Sequence, residues 1–151
     1  MIGVIVIAHG KFGEELLATM QLIVGPQPAV VALGFSARDS LETLRARVAE
    51  AVGQFKADGC LILTDILGGS AANVCVELTR GPGVKVLTGV NLPMLIEAVN
   101  HRDKLQLPAL AQKSREAAVK GILDLEEFMA ARKKKPATAP AAPAATPAPT
   151  P

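Results

Sequence analysis

Four short runs of Val, Ile, Leu and Ala, at residues 2–8, 29–35, 59–64 and 84–89, constrain this chain more than any other feature. Each run is continuous rather than alternating, so a strand built from it is apolar on both faces and belongs in a parallel sheet covered on two sides. The stretches between the runs carry helical period. Phe12, Leu16, Met20 and Ile23 fall on one face of the first, and Leu41, Leu44, Val48, Val52 and Phe55 on one face of the second. Asp39 and Glu42 are spaced as a capping box for that second helix. A third helix is expected from Ser70 to about Arg80, stopped by Gly81-Pro82-Gly83. Asn91 can cap a fourth, with Pro93 in its first turn, where a missing N–H costs nothing. After Pro108 a single longer helical stretch, including Leu110, Val119, Ile122 and Leu125, runs toward Met129. Strands alternating with helices predict a three-layer α/β domain: a four-stranded, mainly parallel sheet with helices on both faces.

The domain is expected to occupy residues 1–131. Residues 136–151 contain only Pro, Ala and Thr, too little apolar surface to offset the entropy of ordering them, so 132–151 read as a basic and then Ala/Pro/Thr-rich disordered tail. The net charge of +2 comes from the run Arg132-Lys133-Lys134-Lys135; without it, 12 basic residues face 14 acidic ones. A slightly acidic body with no Trp, no Tyr and four Phe lacks the basic face and aromatic platforms of a nucleic-acid binder. Cys60 and Cys75 lie inside apolar segments without C-x-x-C spacing, as reduced core thiols of a cytoplasmic protein do. The opening apolar run meets His9 and Lys11 after about seven residues, too short for a signal peptide or a membrane span, so no direct membrane insertion is expected.

In open parallel sheets, sites form in the crevice beyond the carboxyl ends of the strands. Here those ends carry His9-Gly10, then Ser36, then Asp65 followed by Gly68-Gly69-Ser70, then Gly89 and Asn91. An imidazole where a buried strand emerges can act as base, ligand or covalent nucleophile. A carboxylate bonded to one ring nitrogen fixes the tautomer and raises the nucleophilicity of the other, a role open to Asp65. Gly68, Gly69 and Ser70 at a helix start would let backbone N–H groups approach an anion. Each has a plainer reading alone: Asp65 as a turn residue, Ser70 as an N-cap, Ser36 as a loop serine. Their convergence at successive strand ends singles out His9. His101, in the polar stretch Asn100-His101-Arg102-Asp103, reads as a surface residue near a helix C-terminus.

Several familiar motifs are excluded by residue. Ala8-His9-Gly10-Lys11-Phe12-Gly13 lacks G-x-G-x-x-G, Gly10-Lys11 is not followed by Ser or Thr, and Gly69-Ser70-Ala71-Ala72 is not G-x-S-x-G. An aspartyl-phosphate receiver would want acidic residues where the first strand ends in His9. Two histidines and no spaced cysteines make a protein-built metal site unexpected.

The motifs Ala8-His9-Gly10, Asp65 with Gly68-Gly69-Ser70 and Asn73, and Gly89-Val90-Asn91-Leu92-Pro93-Met94-Leu95 occur in an order and spacing that resemble the mannose-type enzyme IIA domain of the bacterial phosphoenolpyruvate-dependent sugar phosphotransferase system. The resemblance spans nearly all of residues 1–130. It implies a cytoplasmic phosphocarrier in which His9 receives a phosphoryl group from phospho-HPr and passes it to a separate enzyme IIB, without a metal or other cofactor. It also implies that Asp65 orients the imidazole and that Gly68, Gly69 and Ser70 hold the phosphoryl group. It further implies a homodimer in which a segment near 121–125 crosses to pair, as a fifth strand, with the partner's sheet. Ile66, Leu67, Ala71 and Ala72 stand where better-known members carry more polar or aromatic residues. Two alternatives share the strand-end histidine: the phosphocarrier subunit of a dihydroxyacetone kinase, and a regulatory module whose phosphorylation controls binding to a protein partner.

Overall fold

A computed structural model describes residues 1–134 apart from 37, 56, 69, 80 and 81. The order is β1 (Gly3–His9), α1 (Phe12–Val24), β2 (Val30–Phe35), α2 (Leu41–Gly53), β3 (Cys60–Thr64), α3 (Ser70–Leu78), β4 (Val84–Thr88), α4 (Leu92–His101), α5 (Leu107–Lys120) and α6 (Leu125–Lys134). The strands pair in the order β2-β1-β3-β4, all parallel. The Ala/Pro/Thr tail lies outside the described residues, while α6 carries the first three residues of the basic run.

Continuous apolar strands are explained by what lies on each face. Val4 and Val6 of β1, with Leu61 and Leu63 of β3, face a layer formed by Met20 of α1, Leu95 and Ala98 of α4 and Leu110 of α5. Ile5 and Ile7, with Ile62, face the other way onto Leu44 and Val48 of α2 and Val74 and Cys75 of α3. Each fully buried Val, Ile or Leu contributes about 1.5–3 kcal/mol of transfer free energy, so β1 and β3 anchor the domain. Cys60 and Cys75 are free and buried in the second cluster. Burial pushes both thiols up to about 11, and for Cys75 the neighbouring Cys60 adds to the effect.

Three local expectations are corrected. The buried face of α1 is set by Gly13 and Met20, with Leu16, Leu17 and Val24 partly covered, whereas Phe12 and Ile23 are exposed. Gly13 sits directly on Val6, so this side of α1 approaches the sheet and turns the residues at 12 and 23 outward. The N-cap of α2 is Ser40, whose hydroxyl oxygen accepts from the Thr43 N–H at 3.1 Å; Asp39 instead accepts from the Ser36 N–H. The single helix expected after Pro108 is two helices separated by residues 121–124. Gly121 lies so close to Pro93 that a side chain would collide with it, and Asp124 caps a new start by accepting from the N–H groups of Glu126 and Glu127.

Asn91 does cap α4, accepting from the Met94 N–H at 3.0 Å. The strand order reverses between β1 and β3, so the crevice of this sheet opens at the carboxyl ends of those two central strands.

Candidate active site

His9 is the last residue of β1, and Asp65 follows the last residue of β3. The two strands are neighbours in the sheet, which brings residues 56 positions apart into contact. His9 Nδ1 lies 2.7 Å from Asp65 Oδ2, the His9 backbone N–H donates to the same oxygen at 2.8 Å, and the Ile66 N–H donates to Oδ1 at 2.8 Å. Burial works to raise the Asp65 pKa, but the hydrogen bonds from His9 and Ile66 and the attraction of the His9 side chain outweigh it and hold the carboxyl below its ordinary value of 3.8. An ionised carboxylate offers only lone pairs, so in the neutral form of the imidazole the proton sits on Nδ1 and the lone pair on Nε2. The Asp65 side chain is 18% exposed and that of His9 52%, so the orienting group is covered while the ring reaches solvent.

The turn carrying His9 is held from the β2 side as well. Gly10 adopts a left-handed φ of 57°, and its N–H donates to the Phe35 carbonyl at 2.7 Å. Beneath it Gly34 has no room for a side chain: a Cβ there would be driven into the Gly10 carbonyl oxygen. Gly34→Ala is therefore expected to lower the unfolding free energy by about 1–3 kcal/mol through overpacking and to loosen the bond between Nδ1 and Asp65. Urea unfolding followed together with the His9 imidazole resonances checks both effects; wild-type behaviour in both would show that the turn accepts a methyl group.

A hollow of about 290 Å³ opens beside the ring, lined by His9, Phe35, Ser36, Asp39, Ser40, Leu41, Leu44 and Ser70. Two helix starts meet there, α2 after its cap Ser40 and α3 at Ser70. Ser36 belongs to a local turn, its N–H donating to Asp39 and its hydroxyl oxygen accepting from the Arg38 N–H, which matches its plainer reading as a loop serine. Gly68 has a φ of 82°, a left-handed turn that suits glycine; Gly69 lies outside the described residues. Ile66 and Leu67 are exposed beside Asp65.

The structure thus brings His9, Asp65 and Ser70 to one rim and puts Gly68 in the intervening loop. Asn91 does not join them: its side chain caps α4 and donates to the Ala118 carbonyl. His101 ends α4, bonded to Glu97. The sequence reading missed Phe35, whose ring centroid lies 4.3 Å from that of His9. In the sequence it shows only as the last residue of the second apolar run, where it looks like ordinary core. Among the described residues, no group of three or more His, Cys, Asp or Glu side chains is arranged for a metal ion, and no helix is long and apolar enough to cross a membrane.

Comparison with known proteins identifies relatives with this architecture. The family described as EIIA-man, PTS system fructose IIA component, matches residues 3–115. The chain is 32% identical to the PTS system mannose-specific EIIAB component of Escherichia coli (strain K12) over 98% of its own length and 46% of the relative's, so it spans about half of that protein. It is 30% identical to the PTS system fructose-specific EIIA component of Bacillus subtilis (strain 168), covering 73% of this chain and 77% of that one. The crystal structure of phosphotransferase system component EIIA from Streptococcus agalactiae superposes with a TM-score of 0.78 at 36% identity, over 84% of this chain and 99% of the other.

Proposed function

The chain belongs to the fructose- and mannose-type IIA family of the phosphotransferase system, and we propose that His9 is its phosphoryl acceptor, loaded on Nε2 by the phosphohistidine of HPr and unloaded by an enzyme IIB component. The observation that carries this reading is the 2.7 Å contact between His9 Nδ1 and Asp65. It holds the ring proton on the covered side and leaves a nucleophilic nitrogen on the solvent side.

In the transfer step the N–P bond of the donor breaks as the bond from Nε2 to phosphorus forms. The donor imidazole takes back its electron pair, and the proton on Nδ1 stays with His9, stabilised by Asp65. One phosphoramidate replaces another, so the step is close to reversible and its barrier is lowered chiefly by in-line positioning and by charge on the transferring oxygens. The Gly68-Gly69-Ser70 sequence is proposed to supply backbone N–H donors for those oxygens, with the N-terminus of α3 at Ser70 favouring negative charge. The relay acts in the cytoplasm.

Incubation with phosphoenolpyruvate, enzyme I and HPr tests the reading. One acid-labile phosphoryl group per chain, mapped to His9, is expected; an unlabelled chain beside fully labelled HPr would refute it.

The apolar side chains of Val119, Ile122, Leu123 and Leu125 are more than half exposed around the break between α5 and α6. A second copy of the chain is proposed to cover them, with the 121–125 segment crossing to the partner. Sedimentation equilibrium at micromolar concentration should then return twice the 15.7 kDa chain mass, and a single species at the chain mass would rule the dimer out.

A further inference from the structure

We propose that Phe35 is a positioning residue for His9: together with Asp65 it fixes the plane of the imidazole, and thereby the direction in which Nε2 faces an incoming phosphoryl group. The inference rests on His9 as the phosphoryl acceptor and adds a second restraint on it. Asp65 holds one point of the ring, Nδ1. The backbone holds another, because the His9 N–H is bonded to the same carboxylate and Gly10 is tied to the Phe35 carbonyl. Within the tolerance of that one hydrogen bond the two side-chain torsions can still shift together, tilting the ring and swinging Nε2 while Nδ1 stays near its partner. Phe35 closes off that swing on one side.

His9 and Phe35 are register partners on adjacent parallel strands, so their side chains leave the sheet on the same face. Their ring centroids lie 4.3 Å apart with the planes tilted by 46°. Phe35 is only 6% exposed and is packed in the cluster containing Ile7, Leu44 and Val48, so it cannot yield to a moving imidazole. The contact is therefore a fixed wall rather than a mobile lid. A displacement of the reacting atom by about 1 Å can cost on the order of 100-fold in rate, so even partial freedom at Nε2 would slow transfer without weakening donor docking.

The variant Phe35→Leu keeps an apolar core side chain and removes the ring. At a temperature where both proteins are folded by circular dichroism, the rate of His9 phosphorylation at saturating phospho-HPr is expected to fall about tenfold. The half-saturating donor concentration should stay within about twofold. In the unphosphorylated proteins, the His9 Nδ1–H resonance should broaden through exchange with water in Phe35→Leu, and Phe35→Tyr, which keeps the ring, should lose less in both measurements. An unchanged rate, a loss confined to half-saturation, or equal losses in the Leu and Tyr variants would overturn the proposal. A wild-type chain that took no label would instead defeat the phosphocarrier reading, while the Nδ1–H resonance would still decide whether Phe35 restrains the ring.

Discussion

His9→Ala is expected to abolish phosphoryl labelling altogether, a larger effect than any other single change in the domain, while leaving the fold in place. The reason is local. The ring is half exposed and its loss opens no cavity in either core cluster, so the change in unfolding free energy should stay within about 1 kcal/mol. Nor does it strand the carboxylate below it. Asp65 keeps the backbone N–H groups of residues 9 and 66, each at 2.8 Å, and gains water where the imidazole stood. No other described histidine can take over: His101 ends α4, held by Glu97, and belongs to none of the strand ends around the hollow. Phosphate incorporation from labelled phosphoenolpyruvate through enzyme I and HPr, read beside a urea unfolding curve, separates the outcomes. Residual label on a folded variant would place the acceptor elsewhere; loss of label with loss of the unfolding transition would show that His9 holds the fold.

The parts of this structure legible in the sequence are those where one physical rule acted alone. β1 and β3 could be read because burial on both faces demands continuous apolar residues, and the contact between His9 and Asp65 followed from two central strands ending side by side. The start of α4 was readable because Asn91 and Pro93 act within one turn. Where tertiary packing competed with local pattern, the pattern misled. Val119, Ile122 and Leu125 keep helical spacing yet none is buried, and the break among them comes from Gly121 meeting Pro93, a contact invisible in a linear reading. The second start was nonetheless written locally, since Asp124 with Glu127 has the capping spacing. Phe35 was hidden for another reason. An apolar residue at the end of an apolar run looks like ordinary core, and only the register of β2 against β1 places it beside an imidazole.

Asp65→Asn is expected to slow His9 phosphorylation by roughly 100- to 10,000-fold, the range set by losing a carboxylate that fixes an imidazole tautomer. Asp65 accepts from three donors: the His9 N–H and Nδ1–H on one oxygen and the Ile66 N–H on the other. An asparagine has one oxygen and one NH₂, so it cannot serve both sides. With its oxygen toward His9, the NH₂ confronts the Ile66 N–H; with its oxygen toward Ile66, the NH₂ confronts His9 and drives the ring proton to Nε2, where the phosphoryl group must bond. Either arrangement opposes two donors and costs about 1–3 kcal/mol of stability, and the second removes the nucleophile. The pH dependence has a definite sign. The folded carboxyl lies below its ordinary 3.8, so as pH falls the unfolded chain takes up the proton first and the native state loses stability. The stabilisation from Asp65 is complete above that ordinary value and is lost as pH drops through the lower folded one. The share of the stability gap between wild type and Asp65→Asn that comes from the carboxylate should therefore shrink as pH falls below about 4 into stronger acid. Urea unfolding from neutral pH into strong acid, with transfer rates at neutral pH, tests both halves: a gap that fails to close in strong acid would contradict the assigned ionisation, and an undiminished rate would remove Asp65 from the transfer step.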